Sequence, residues 1–205
     1  AGNYSFGGVT SGANYSVTPL ALTLSGVDVG ASSSVYGSAL TPGVLTYTGS
    51  NKQGLDDVTF TTLASVNVTD ANKSSGGFYR VGTYGQSVSI SGLSGADAGN
   101  YSFGGGTFTS GSANYSVTPL ALSGVTIGSG SSVYGSALTP GAVSFSSSTK
   151  LANDVLSGVA SVNVGALSGA GKAVVGSYTQ SVSGLSGADA GNYSFGGVTS
   201  GANYS

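Results

Sequence analysis

A sixteen-residue peptide, Ala-Gly-Asn-Tyr-Ser-Phe-Gly-Gly-Val-Thr-Ser-Gly-Ala-Asn-Tyr-Ser, occurs letter for letter at 1–16 and again at 190–205. An edited third copy begins at Ala98, so the spacings are 97 and then 92 residues. The repetition extends further. Ser33–Gly43 returns unchanged at Ser131–Gly141, Ala64–Val68 at Ala160–Val164, and Ser91–Phe103 at Ser183–Phe195, always in the same order. The intervening stretches, 44–90 and 142–182, have drifted in length and wording. A period of about 95 residues is too long for a solenoid rung and suits a small domain. The chain therefore reads as beads, a stretch of a longer tandem array with the 189-residue pair as its repeating object.

Strand character follows from patterning. Apolar and small polar residues alternate in Val143-Ser-Phe-Ser, Gln86-Ser-Val-Ser-Ile, Asp57-Val-Thr-Phe-Thr and Val66-Asn-Val, the period of a half-buried strand. With 37 glycines, nearly every candidate helix is interrupted. The exception is Lys150–Leu156, where Leu151, Val155 and Leu156 could share a face for a single turn. Disorder is disfavoured, because 12 Tyr and 7 Phe with only 6% charged residues is the opposite of a disordered composition. The expectation is an all-β fold of tandem β-sandwich modules with Ig-like or Greek-key connections, in an elongated array.

Module boundaries follow from side-chain parity. Odd positions are apolar in Tyr15-Ser-Val-Thr and even positions after Pro19, in Leu20-Ala-Leu-Thr-Leu; Tyr115, Val117, Pro119, Leu120 and Leu122 repeat the reversal. A strand cannot change its buried face without a break, and Pro removes a ladder donor. Pro19 and Pro119 are thus the expected module junctions. Residues 1–18 would be the C-terminal strands of a preceding module, 19–118 a complete β module, and 119–205 a second lacking its last strand residues.

Composition narrows the chemistry. The chain has no His, Cys, Met, Trp or Glu; its charges are seven Asp, five Lys and Arg, and net −2. General acid–base catalysis near neutrality wants a group that titrates there, and no Ser-His-Asp or Cys-His arrangement can be built, so the chain is not expected to be an enzyme or to carry a cofactor. Thiolate and imidazole ligands for zinc are absent. Calcium through Gly95–Asn100 and Gly187–Asn192 is the remaining metal option, but Gly, Asp and Asn there read better as turn formers, with Asp bonding its own following backbone. Asp56-Asp57, the one acidic pair, has no counterpart at Asn153-Asp154. No metal site is expected. The few cations form no basic patch, so nucleic acid is not an expected partner, and no run reaches about 18 apolar residues, so no membrane span is expected. Intramolecular Lys crosslinks are disfavoured because no Lys recurs at an equivalent position.

Asn3, Asn14, Asn100, Asn114, Asn192 and Asn203 each open Asn-Tyr-Ser, and Asn67 and Asn72 also match the glycan acceptor pattern. In Asn3-Tyr-Ser-Phe the aromatics share one strand face and the Asn faces outward. Asn at a strand start after Gly also has a plain structural use. The repeated Tyr and Phe suit a sugar-stacking stripe, but a chain without Trp needs them for its core.

The words Val35-Tyr-Gly-Ser-Ala-Leu-Thr-Pro-Gly, Leu45-Thr-Tyr-Thr, Val81-Gly-Thr-Tyr, Leu93-Ser-Gly-Ala-Asp-Ala-Gly-Asn-Tyr and Ala113-Asn-Tyr-Ser-Val-Thr-Pro-Leu-Ala-Leu, in that order, resemble the MBG and YDG repeat modules of large bacterial secreted proteins, the filamentous-haemagglutinin-like adhesins and biofilm matrix proteins. The likeness spans essentially the whole chain. One departure is that Tyr-Asp-Gly is here Tyr36-Gly-Ser and Tyr134-Gly-Ser. The resemblance implies secretion to the cell surface or matrix, tandem arrangement and a β-rich module. It agrees with the absence of Cys, a habit that suits secreted bacterial proteins, with any export signal expected outside this stretch. Two functions follow as expectations. One is a structural fibre or stalk whose modules contact copies of themselves; a neutral surface of Ser, Thr, Gly and Asn opposes such contact little. The other is a multivalent array binding exopolysaccharide.

Overall fold

A computed structural model describes residues 2–205. The fold is all-β apart from three single 3₁₀ turns, Asp70–Asn72, Ala98–Asn100 and Ala190–Asn192. In the leading repeat, Gln86–Ser94 is the centre of an antiparallel sheet, flanked by Thr59–Val66 and Gly106–Thr109, with an irregularity between Thr61 and Thr62. The alternation read from Gln86, Val88 and Ile90 is realised, since these three are buried and their Ser neighbours are not. A second sheet places Tyr115–Thr118 between Ser32–Val35, to which it runs parallel, and Gly82–Tyr84, to which it runs antiparallel. Two-residue ladders complete the repeat.

The trailing repeat uses the same plan with shorter pairings. Gln180–Val182 lies between Ser161–Val162 and Val198–Thr199, and Tyr204 bridges Gly130 in parallel and Tyr178 in antiparallel fashion, at the positions where Tyr115 pairs with Ser32 and Tyr84. Leu120–Ala121 runs parallel to Tyr193–Ser194, as Leu20–Ala21 does to Tyr101–Ser102. One strand ends at Thr118 and the next starts at Leu120, in different sheets, so the change of face at Pro119 coincides with a change of partners.

Residues 2–18 lie outside any strand and are exposed, as a segment without a pairing partner is. Lys150–Leu156 forms a turn instead of a helical turn. Asn153 sits at φ 65°, a left-handed conformation that a right-handed helix cannot contain. Among the described residues no helix is long and apolar enough to cross a membrane.

The core is divided. Leu22, Val58 and Tyr101, with Phe60, Leu93 and Phe103, form one cluster inside the leading repeat. The larger cluster holds Tyr36, Tyr115 and Val117 from the leading repeat and Leu122, Val125 and Tyr193 from the trailing one. Its centre is the seam between the repeats.

Candidate functional site: the junction between the repeats

The seam is built around one carboxylate. Asp154, on the turn after Lys150, is 4% exposed. Its Oδ2 accepts from the hydroxyls of Tyr36 and Tyr193, both at 2.6 Å, and its Oδ1 accepts from Ser74 Oγ and the Gly76 N–H, both at 3.0 Å. The Tyr36 hydroxyl also lies 2.6 Å from Ser74 Oγ. Tyr36, Ser74 and Gly76 belong to the leading repeat, Asp154 and Tyr193 to the trailing one. The rings of Tyr36 and Tyr193 meet edge to face at 5.5 Å, and Phe78 packs on Tyr36 in the same manner at 6.0 Å, geometries favoured by the ring quadrupole. Charge-assisted hydrogen bonds inside an aromatic wall offset the cost of burying the carboxylate.

A second buried carboxylate sits beside the first. Asp189, 0% exposed, accepts from Val155 N–H at 2.9 Å within its own repeat and from Ser75 N–H at 3.2 Å across the seam, with Arg80 Nη2 at 3.8 Å. Burial pushes this carboxyl up, but the hydrogen bonds from Val155 and Ser75 and the Arg80 charge outweigh it and hold it below the usual range. Asn192 Oδ1 then accepts from Val81 N–H at 3.0 Å. Three polar side chains of the trailing repeat thus bind the Ser74–Val81 segment of the leading repeat.

The same parts recur at the opposite end of the leading repeat. Tyr101 donates to Asp56 as Tyr193 donates to Asp154, Asp97 accepts from Asp57 N–H as Asp189 accepts from Val155 N–H, and Lys52 Nζ reaches the Asp56 carbonyl as Lys150 Nζ reaches that of Asp154. Three sequence readings are corrected by this. Asp56 corresponds to Asp154, so the pair is half repeated; Lys52 and Lys150 are equivalent; and Asp97 and Asp189 reach across to another segment instead of bonding their own following backbone. The shared spacing Lys52-x-x-x-Asp56 and Lys150-x-x-x-Asp154 carries the signal, which the mismatch between Asp56-Asp57 and Asn153-Asp154 conceals.

The asparagines divide by setting. Asn3 and Asn14 lie in the exposed arm, where Asn14 accepts from Ser11, and Asn100 is exposed at the end of its 3₁₀ turn. Asn67 accepts from Ser87 and Asn72 from Thr69 N–H. Asn114 and Asn203 turn their amides inward, donating to the carbonyls of Val29 and Ile127, and Asn192 is buried in the junction. The outward orientation expected for Asn-Tyr-Ser-Phe is not met at Asn192, whose side-chain oxygen is taken up across the seam by Val81 N–H. Among the described residues, no three acidic side chains gather as metal ligands would. Pro119 lies between the two strands that meet at the seam and Pro19 at the start of the corresponding ladder. No protein-family model, curated protein or solved structure matches the chain.

Two predictions arise from the seam. A Cβ on Gly76 would stand 2.4 Å from Asp154 Oδ1 and 2.8 Å from the Ala152 carbonyl. Gly76→Ala is therefore expected to lower stability by about 1–3 kcal/mol through overpacking, read as a lower urea midpoint. The second concerns alkali. Burial, and then hydrogen bonding to Asp154, raises the hydroxyl pKa of both Tyr36 and Tyr193 above the ordinary tyrosine value. Their contribution is fully present below the unfolded value of about 10 and is lost as pH rises toward the folded values. The urea midpoint should hold to about pH 10 and fall above it, and Tyr193→Phe should flatten that fall.

Proposed function

We propose that this chain is a structural repeat region of a large secreted bacterial surface protein, a tandem array of β-sandwich modules that forms an extracellular fibre or stalk for adhesion or matrix building. The observation that carries this reading is the seam: consecutive repeats meet through two buried carboxylates, an asparagine and a cluster of aromatic rings. Such a contact holds neighbouring modules in one relative orientation, which a load-bearing array needs and a string of independent binding domains does not. The near-neutral surface lets further modules, in the same or another chain, come into contact at little desolvation cost.

Antibodies raised against the recombinant chain should label thin filaments at the surface of the source cells in negative-stain images. Sedimentation of the recombinant chain should show association that grows with concentration. Labelling confined to the cell interior, or a chain that stays monomeric at high concentration, would overturn the reading.

A further inference from the structure

Gln86–Ser94 has a strand on each side, whereas Thr59–Val66 is paired on one side alone. Asn67 N–H donates to the Gly85 carbonyl at 2.8 Å and the Thr61 carbonyl accepts from Ser91 Oγ at 3.3 Å, both toward the central strand. Successive residues of an antiparallel strand turn their N–H and C=O to opposite sides, so Phe60, Thr62, Ala64 and Val66 turn theirs to the free edge. Outside the ladder with Gln86–Ser94, no backbone hydrogen bond among the described residues reaches Phe60, Thr62 or Ala64.

Neither neighbouring repeat covers this edge. The leading repeat has its follower docked at the seam, and Leu63, in the middle of the strand, is still 75% exposed. The trailing repeat has its predecessor docked, and Val159, the counterpart of Leu63, is 84% exposed on an edge that runs from the Ser157–Ser186 bridge to Ser161–Val162. Sheet edges are ordinarily blunted by charge, by Pro or by a covering segment. From 58 to 69 this one carries neither charge nor Pro, and its residues are mostly Thr, Val, Phe and Leu, good strand formers.

We propose that Thr59–Val66 pairs edge to edge with the same strand of a second copy of this chain, antiparallel about a two-fold axis at Leu63. The pairing rests on the self-association proposed above and names its surface. Free donors and acceptors in a row take a strand, and an uncharged edge meets its own copy with no like charges opposed. Outward-turned residues have to meet outward-turned residues, so the register moves in steps of two. Of the registers that keep nearly the whole strand paired, the one centred on Leu63 sets the two exposed leucines opposite each other and Phe60 beside the copy's Val66, cross-strand pairs that stabilise a sheet. Thr62 then exchanges hydrogen bonds with the copy's Ala64. The two three-stranded sheets become one continuous sheet, and the contact is isologous and closes at two chains.

Sedimentation equilibrium on the full chain and two variants tests the edge. Leu63→Lys should weaken dimerisation at least about tenfold, because it sets two ammonium groups opposite each other at the axis, and should leave the urea midpoint of the monomer unchanged. Leu55→Lys, at a fully exposed leucine off the strand, should leave dimerisation unchanged. Register is read by crosslinking, since the chain has no cysteine. Leu63→Cys should give a disulfide-linked dimer on a non-reducing gel. Thr61→Cys, exposed on the same face, should not, because the register holds the two copies of position 61 about 14 Å apart. If Leu63→Lys dimerises as the unaltered chain does, edge pairing fails and self-association through another surface stands. If the unaltered chain stays monomeric at high concentration, both fail. Equal crosslinking at positions 61 and 63 would overturn the register and with it the two-fold pairing at Leu63.

Discussion

Asp154→Ala is expected to loosen the seam and lower stability by about 3 kcal/mol, because it removes one acceptor from four donors in a site closed to water. After the change Tyr36 keeps Ser74 and Tyr193 keeps Leu151 N–H as hydrogen-bonding partners, so the loss stays below the sum of four bonds. The Gly76 N–H, fixed in the backbone, cannot turn to a new acceptor. The Asp56→Ala variant is an internal control. Asp56 is half-buried and accepts from one tyrosine hydroxyl, that of Tyr101, and its removal should cost about 1 kcal/mol. Urea denaturation of both variants measures the difference, and small-angle scattering adds a second readout. Asp154→Ala should broaden the distribution of inter-repeat distances, whereas Asp56→Ala should leave it unchanged. Equal losses for the two variants would mean that the carboxylate serves its own turn and not the seam.

Part of this architecture is legible in the sequence because it is local. Alternation in Gln86-Ser-Val-Ser-Ile marks a strand with one buried face, and the reversal around Pro119 marks where the chain leaves one sheet for another. Such patterns depend on neighbours two to four residues away. The arm shows the limit of that reasoning. Residues 2–16 repeat 191–205 letter for letter, yet the first copy is exposed and the second pairs into sheets, so strand propensity alone does not make a strand. The seam is illegible for a related reason. Tyr36 and Asp154 meet across 118 residues, Ser75 and Asp189 across 114. Neither Asp carries a motif, and the ordinary role of a turn former suits both. Only the matched network at Asp56 and Asp97 shows that the turn is a repeated element, which at Asp154 and Asp189 docks on the preceding repeat.

Gln86→Leu is expected to be the most damaging single change inside the leading repeat. Gln86 is 0% exposed, at the head of the central strand; its Oε1 accepts from Gly43 N–H at 2.6 Å and its Nε2 donates to the Gly30 carbonyl at 3.0 Å and to Asn114 Oδ1 at 2.8 Å. One amide therefore pins three segments distant in sequence. Gln180 makes the same three bonds, to Gly141, Gly128 and Asn203, at the same distances. Gly43 and Gly30 are drawn so close that a Cβ on Gly43 would stand 1.8 Å from the Gly30 carbonyl oxygen, which explains why Gly43 has to be glycine. Leucine fills the space but leaves the Gly43 N–H and Gly30 carbonyl buried and unpaired, at a cost of about 4 kcal/mol. Gln86→Glu separates polarity from shape. A carboxylate there would face the Gly30 carbonyl and lack a solvent shell, so its folded pKa is raised above the unfolded value of about 4.3. The protonated acid can still donate to Gly30 or Asn114. This variant should consequently approach wild-type stability below about pH 4 and lose it as pH rises toward 7, whereas Gln86→Leu should be equally destabilised at both. Urea midpoints at pH 4 and 7 for the two variants decide the matter, and a pH-independent Gln86→Glu would show that the amide fills space and clamps nothing.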